Sequence, residues 1–222
     1  MIEIIPSVSS SIVGINITPR TLTCSWIEPT KKKETPYELK AYKHILFDIY
    51  PKTSLVIFNP TRLRSLINTF LMLHKLSNAY IVFSLSGKEL IEKQLMLIQP
   101  TAELQSLEDT TDQLMWHYYC LQEKTVDAAP WYCCALSHEL LFQYQLFALR
   151  CQLNLIQITT PTMALLCAYK YLKHQKQTAN KTNITELINL NGHIRVRSPQ
   201  EHAAIVESFG LFLLGQQLHE EH

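Results

Sequence analysis

The chain has 222 residues, 47% of them hydrophobic, with 20 Lys and Arg against 19 Asp and Glu and a formal net charge of +1. A chain of that length buries roughly 70% of its unfolded surface as one large domain or two small ones. Ample hydrophobicity excludes dominant disorder, near-neutrality excludes the basic balance of a nucleic-acid binder, and 5 glycines against 10 prolines leave little material for glycine-rich phosphate loops.

The most apolar long stretch, from Leu140 to Tyr171, is broken by Arg150, Asn154 and Pro161. No span of ~20 apolar residues is therefore expected. The opening MIEIIPSVSSS carries Glu3 and no basic region, unlike a secretory leader. Cys24, Cys120, Cys133, Cys134, Cys151 and Cys167 lack CxxC spacing and lie in apolar surroundings, which reads as buried, reduced thiols in a cytoplasmic protein. His44, His74, His117, His138 and His174 are scattered singly, without HxH or HExxH spacing, so no metal site is expected.

In chain order, Ser11–Ile17 is a nearly continuous apolar run, as for a strand buried on both faces. Thr18-Pro19-Arg20 is a turn, Thr21–Glu28 alternates like a hairpin partner, and Tyr37–Ile49 is a third strand, which makes a meander. Asn59-Pro60-Thr61 opens a helix with Leu63, Leu66, Ile67, Phe70 and Leu71 at helical spacing. Strands follow at 79–87 and 89–97, and Pro100-Thr101 opens an expected helix of about 20 residues reaching Glu123, with Leu104, Leu107, Leu114, Met115 and Tyr118 on one face. Beyond the loop KTVDAAP come a buried strand at Trp131–Ser137, a helix from His138, a strand at Asn154–Thr159, and a helix at Pro161–His174 with Thr160 as its cap. A polar linker, Lys173–Asn183, leads to a hairpin turning at Asn191-Gly192. A last helix, Pro199–Gln217, puts Ala203, Val206, Phe209 and Leu213 on one face and ends at Gly215. The expected class is α/β, in the strand and helix order of a ribonuclease H-like core lobe.

These segments also resemble the PilM family of actin-like type IV pilus proteins. IVGINITPRTLTCSW followed by YELKAYKHI is similar to the family's opening strand, hairpin and YxLxAY-type strand. IVFSLSGKELIEKQLMLIQP resembles its inserted strand pair, HELLFQYQLFALRCQLNLIQITTPTMALLCAYKYL its helix, strand and helix, and ESFGLFLLG its closing helix. The resemblance implies an actin-like ATPase core lobe at 8–59 and 128–175, an inserted small α+β subdomain at 60–127, and a terminal part at 176–222, made of linker, hairpin and helix, that packs back on the core. The family's second nucleotide lobe would be largely missing, with Lys173–Ser198 in its place, as in the reduced HofM-like and ComA-like competence proteins. A dimer interface is the alternative role for the last helix.

The same resemblance places the family's first phosphate loop at Asn16, Thr18 and Pro19. Asn16 keeps the shape of Asp without its charge, and Pro19 brings no N–H, so neither catalysis nor a cofactor is expected. A ribonuclease H-type nuclease would likewise need an Asp where Asn16 stands. What the resemblance leaves is a peptide-binding role: a cytoplasmic adaptor, peripheral to the inner membrane, that holds the N-terminal cytoplasmic peptide of a PilN-like inner-membrane protein in pilus assembly or DNA uptake. Tyr80, Phe83, Ser84, Leu85, Ser86 and Gly87 are its expected partner surface, with core packing the competing reading for Tyr80 and Phe83. A nucleotide-binding regulator of the same fold, and a nuclease acting on DNA, are the alternatives.

Overall fold

The computed structural model describes residues 11–31, 35–46, 56–57, 59–97, 113–120, 129–179, 188–190 and 199–220. The uncharged run Ile12–Ile17 (β1) is flanked on both edges. It pairs antiparallel with Thr21–Pro29 (β2) and parallel with Tyr80–Leu85 (β4). Tyr37–Leu46 (β3) continues the meander beside β2. Asn154–Thr159 (β8) adds parallel to β4, and Ile188–Leu190 (β9) adds parallel to β3. The sheet order is β8-β4-β1-β2-β3-β9. Pro60–Leu73 (α1) connects β3 to β4, and His138–Arg150 (α2) precedes β8. Pro161–Ala179 (α3) and Pro199–Glu220 (α4) follow. This mixed α/β arrangement is consistent with the expected ribonuclease H-like core. A second, antiparallel sheet runs Ile91–Leu97 (β5), Ala129–Ser137 (β7), Leu114–Cys120 (β6).

Strand periodicity divides the six-stranded sheet into two faces. Val13, Ile15 and Ile17 of β1, with Ile81, Phe83 and Leu85 of β4, turn to one face and pack with Ile67 and Phe70 of α1 and Leu140, Tyr144 and Phe147 of α2. Ile12 and Val82 turn to the other, against Ala164 and Cys167 of α3 and Phe209, Leu211 and Phe212 of α4. Residues 205–215 of α4 are all buried, as expected of a helix that is apolar all round. Glycine lets this helix approach. A Cβ at Gly210 would stand 1.8 Å from the Ala164 carbonyl oxygen, and one at Gly215 would stand 2.7 Å from Ile12 Cγ2. Gly215 therefore lies inside the helix, which runs on to Glu220, rather than ending it.

Other expectations change. The helix expected to reach Glu123 is overturned at Leu114–Cys120, which forms β6 and pairs along its length with β7. Its aromatic residues Trp116, Tyr118 and Tyr119 suit a pleated surface better than a helix. Leu104 and Leu107 lie outside the described residues. The block expected at 60–127 does not follow the pairing: β4 is an interior strand of the first sheet, and β7, expected in the core lobe, is the central strand of the second. The second sheet thus draws on 91–137. The linker expected from Lys173 begins as helix, since α3 continues to Ala179. Its Lys, Gln and Ala residues have good helix propensity and no apolar period to reveal it. Of the expected hairpin, only Ile188–Leu190 is described, and the turn at Asn191-Gly192 lies outside. No helix among the described residues is long and apolar enough to cross a membrane.

Candidate functional site

At the β1–β2 turn, every backbone N–H is engaged within the turn itself. Thr18 N–H donates to the Thr21 carbonyl at 3.0 Å. The Thr18 hydroxyl oxygen accepts from the N–H of Arg20 at 3.2 Å and of Thr21 at 2.9 Å. Pro19 has no N–H to offer. A phosphate cradle is a concavity of free N–H groups, and this turn presents none from Thr18 to Thr21. The residues present do not fit a nucleotide phosphate here.

Asn16 and Ser84 are register partners on β1 and β4, on the face covered by α4. Above them α4 delivers Glu207, itself 9% exposed. The Asn16 side-chain amide donates to Glu207 Oε1, and the Ser84 hydroxyl donates to the same oxygen at 2.9 Å. Burial pushes the Glu207 carboxyl up, while the hydrogen bonds from Ser84 and Asn16 pull against that rise. A two-metal nuclease centre needs several converging carboxylates. Here an amide, a hydroxyl and one carboxylate meet, and the carboxylate is already bonded to both neighbours. Among the described residues no three His, Cys, Asp or Glu side chains gather to hold a metal. The Asn16–Ser84–Glu207 group thus joins a helix to a sheet. Sequence reading missed Glu207, whose signal was a lone carboxylate inside the apolar run IVESFGLFLL.

The expected partner surface is corrected by burial at Phe83, Ser84 and Leu85. Phe83, Ser84 and Leu85 are 0% exposed. Phe83 packs edge-on to Tyr144, ring centroids 6.1 Å apart, and Ser84 is committed to Glu207. An unbroken apolar strand in parallel pairing is buried on both faces, so β4 offers core, not contact. Tyr80 is half-buried against the α3–α4 side. Ser86 and Gly87, also half-buried, lie where Ser86 N–H extends the ladder to the Ile17 carbonyl at 3.1 Å.

A groove of about 510 Å³ lies instead one strand further out, between β8, β6 and α2. Ile156, Gln157 and Ile158 of β8, Met115 and His117 of β6, and His138, Leu141 and Phe142 of α2 line it, with no Asp, Glu, Lys or Arg among the described residues. Phe142 stands 62% exposed at its rim. Among the described residues β8 pairs on one side only and ends the sheet order. Gln157 Oε1 is buried with no partner among the described residues. Behind it, a cavity of about 40 Å³ reaches Cys134 and Thr160. Burial lowers the His117 pKa, favouring the neutral ring, and holds the Cys134 thiol up at about 12. A protonated thiol beside a neutral imidazole is an unactivated pair. The Tyr132 hydroxyl donates to Glu92 and lies 2.9 Å from Thr160 Oγ1, tying the second sheet to the cap of α3.

No protein-family model matches the chain, and no curated protein matches it in sequence. Among solved structures, a chain of a PilM–PilN type IV pilus biogenesis complex is similar with a TM-score of 0.56 and 15% identity, over 75% of this chain and 51% of that one. The cytoplasmic domain of EpsL, an inner-membrane component of the type II secretion system of Vibrio cholerae, gives 0.45 and 10% identity over 70% and 59%. Thermus thermophilus RuvC gives 0.41 and 9% over 93% and 96%. This chain spans about half the length of the first of these, and at 15% identity that likeness is one of fold.

Proposed function

We propose that this chain is a non-catalytic adaptor of a type IV pilus-type assembly, working at the cytoplasmic face of the inner membrane. In this reading it holds the N-terminal cytoplasmic peptide of a PilN-like protein, and lacks both nucleotide turnover and nuclease activity. The observation that carries the proposal is the fold shared with a chain of a PilM–PilN complex. The groove between β8, β6 and α2 supplies, among the described residues, what peptide capture needs: apolar walls, a strand edge with no partner strand, and one unpartnered acceptor on Gln157. The closed β1–β2 turn and the lone carboxylate of the Asn16–Ser84–Glu207 group support the non-catalytic half of the reading.

Calorimetric titration with a synthetic peptide from the start of a PilN-like protein tests it. The expected result is binding that changes little with salt, because no Asp, Glu, Lys or Arg among the described residues lines the groove, and that is lost in Phe142→Asp. Absence of binding, or binding indifferent to Phe142→Asp in a folded variant, would overturn the assignment.

A further inference from the structure

We propose that the cavity between α1 and α2 is a second docking site, which takes an acidic amphipathic segment of a protein partner. The cavity measures about 410 Å³. Gln143, Leu146, Phe147 and Arg150 of α2 line one wall, at the i, i+3, i+4, i+7 spacing of a single helical stripe. Pro60, Thr61 and Arg64 of α1 line the other. The site is separate from the peptide groove, which uses His138, Leu141, Phe142 and Gln145 of the same helix. The two stripes are offset by five positions, about 140° around the axis, so α2 is a wall shared by two sites.

Charge sets the chemistry of the occupant. Two guanidiniums from different helices line one apolar cavity. Helix α1 contains no Asp or Glu, and the lone carboxylate of α2, Glu139, is in its first turn, at the opposite end from Arg150. Lys40–Glu38 on β3 is the ion pair recorded among the described residues, which leaves Arg64 and Arg150 without a described acidic partner. Burial raises the pKa of the Cys151 thiol, on the same cavity wall, and the Arg64 guanidinium pulls it down, which sets that charge close to the cavity. Like charges facing one space are relieved by an anion between them, and the planar guanidinium fork matches a carboxylate. The Leu146 and Phe147 wall asks for an apolar side chain next to that anion, which is how an amphipathic helix seats in a groove. Two cations in a concave, apolar-walled cavity are too few for a lipid surface, where recognition takes clusters of about four to eight. They are too few for a nucleic acid as well, since its affinity grows with the number of phosphates neutralised.

Fluorescence anisotropy with a labelled amphipathic peptide of leucine and glutamate tests this on the full chain. The peptide should bind and weaken as salt rises. Arg64→Ala or Arg150→Ala should each loosen it about tenfold with unchanged circular dichroism, because both side chains are exposed. The double change Arg64→Glu with Arg150→Glu should move the preference to the same peptide with lysine in place of glutamate. No binding of the acidic peptide, affinity indifferent to both arginines, or stronger retention on phosphatidylglycerol vesicles than on the peptide would overturn the proposal.

Discussion

The two faces of the six-stranded sheet are closed by different means. On the α1–α2 face, large side chains fill the space: Phe70, Phe83, Tyr144 and Phe147 meet over β1 and β4. On the α3–α4 face, small residues let backbones approach, with Gly210 against Ala164 and Gly14 beneath Leu211, and a buried polar group sits at the centre. The first face is held by volume and yields gradually when volume is lost. The second is held by close approach and yields abruptly when anything is added.

The largest test of that contrast is Gly210→Ala. Its new Cβ would fall 1.8 Å from a backbone oxygen, which no rotamer change relieves, so we expect a loss of about 3 kcal/mol or more in urea unfolding. An outcome under about 1 kcal/mol would show that α3 and α4 slide freely. Next comes Phe83→Ala on the opposite face, which should cost about 3–5 kcal/mol through cavity formation while leaving the fold intact. Glu207 separates polarity from packing. Glu207→Ala should cost about 1–3 kcal/mol by stranding the Asn16 amide and the Ser84 hydroxyl, whereas Glu207→Gln keeps an acceptor and should cost less.

The sign of the pH effect follows from the raised carboxyl. A folded pKa above the unfolded value gives stability that is complete below the unfolded value. That stability fades as pH rises through the folded value. Denaturation midpoints should therefore fall over that window in the wild type and flatten there in Glu207→Gln. The smallest effect lies at the edge of the apolar face. Asn59 Oδ1 accepts from Arg62 N–H at 2.9 Å to cap α1, so Asn59→Ala should cost about 1 kcal/mol in the same unfolding experiment.

The two faces were also unequally legible in the sequence. Apolar runs such as Ile12–Ile17 and the helical spacing of Leu63, Ile67 and Phe70 announce their elements directly, because burial on a periodic element imprints its period. The strand Leu114–Cys120 reads as helix because Leu114, Met115 and Tyr118 also satisfy a helical spacing, although its antiparallel partner β7 is the next strand along the chain. The candidate site was legible only in part. The resemblance singles out Asn16 as a phosphate-loop position, but nothing local connects it to Glu207, 191 positions away. Phe83 and Leu85 are contact residues only by the resemblance, and composition does not correct it, because a buried strand and an exposed apolar edge share one composition. Which strands end the sheet is decided by its order, and among the described residues these are β8 and β9.

The separation between Asn16 and Glu207 has a kinetic corollary. The strand that organises the sheet waits for a helix nearly two hundred positions downstream before its second side is shielded from water. Closing so long a loop is entropically slow. During synthesis, the sheet's second side is covered by α3 alone, with Gly14 lacking Leu211 above it, until residues 199–220 emerge. Any chaperone that attends this protein should recognise that half-covered side, and a chain cut before Pro199 should aggregate through it.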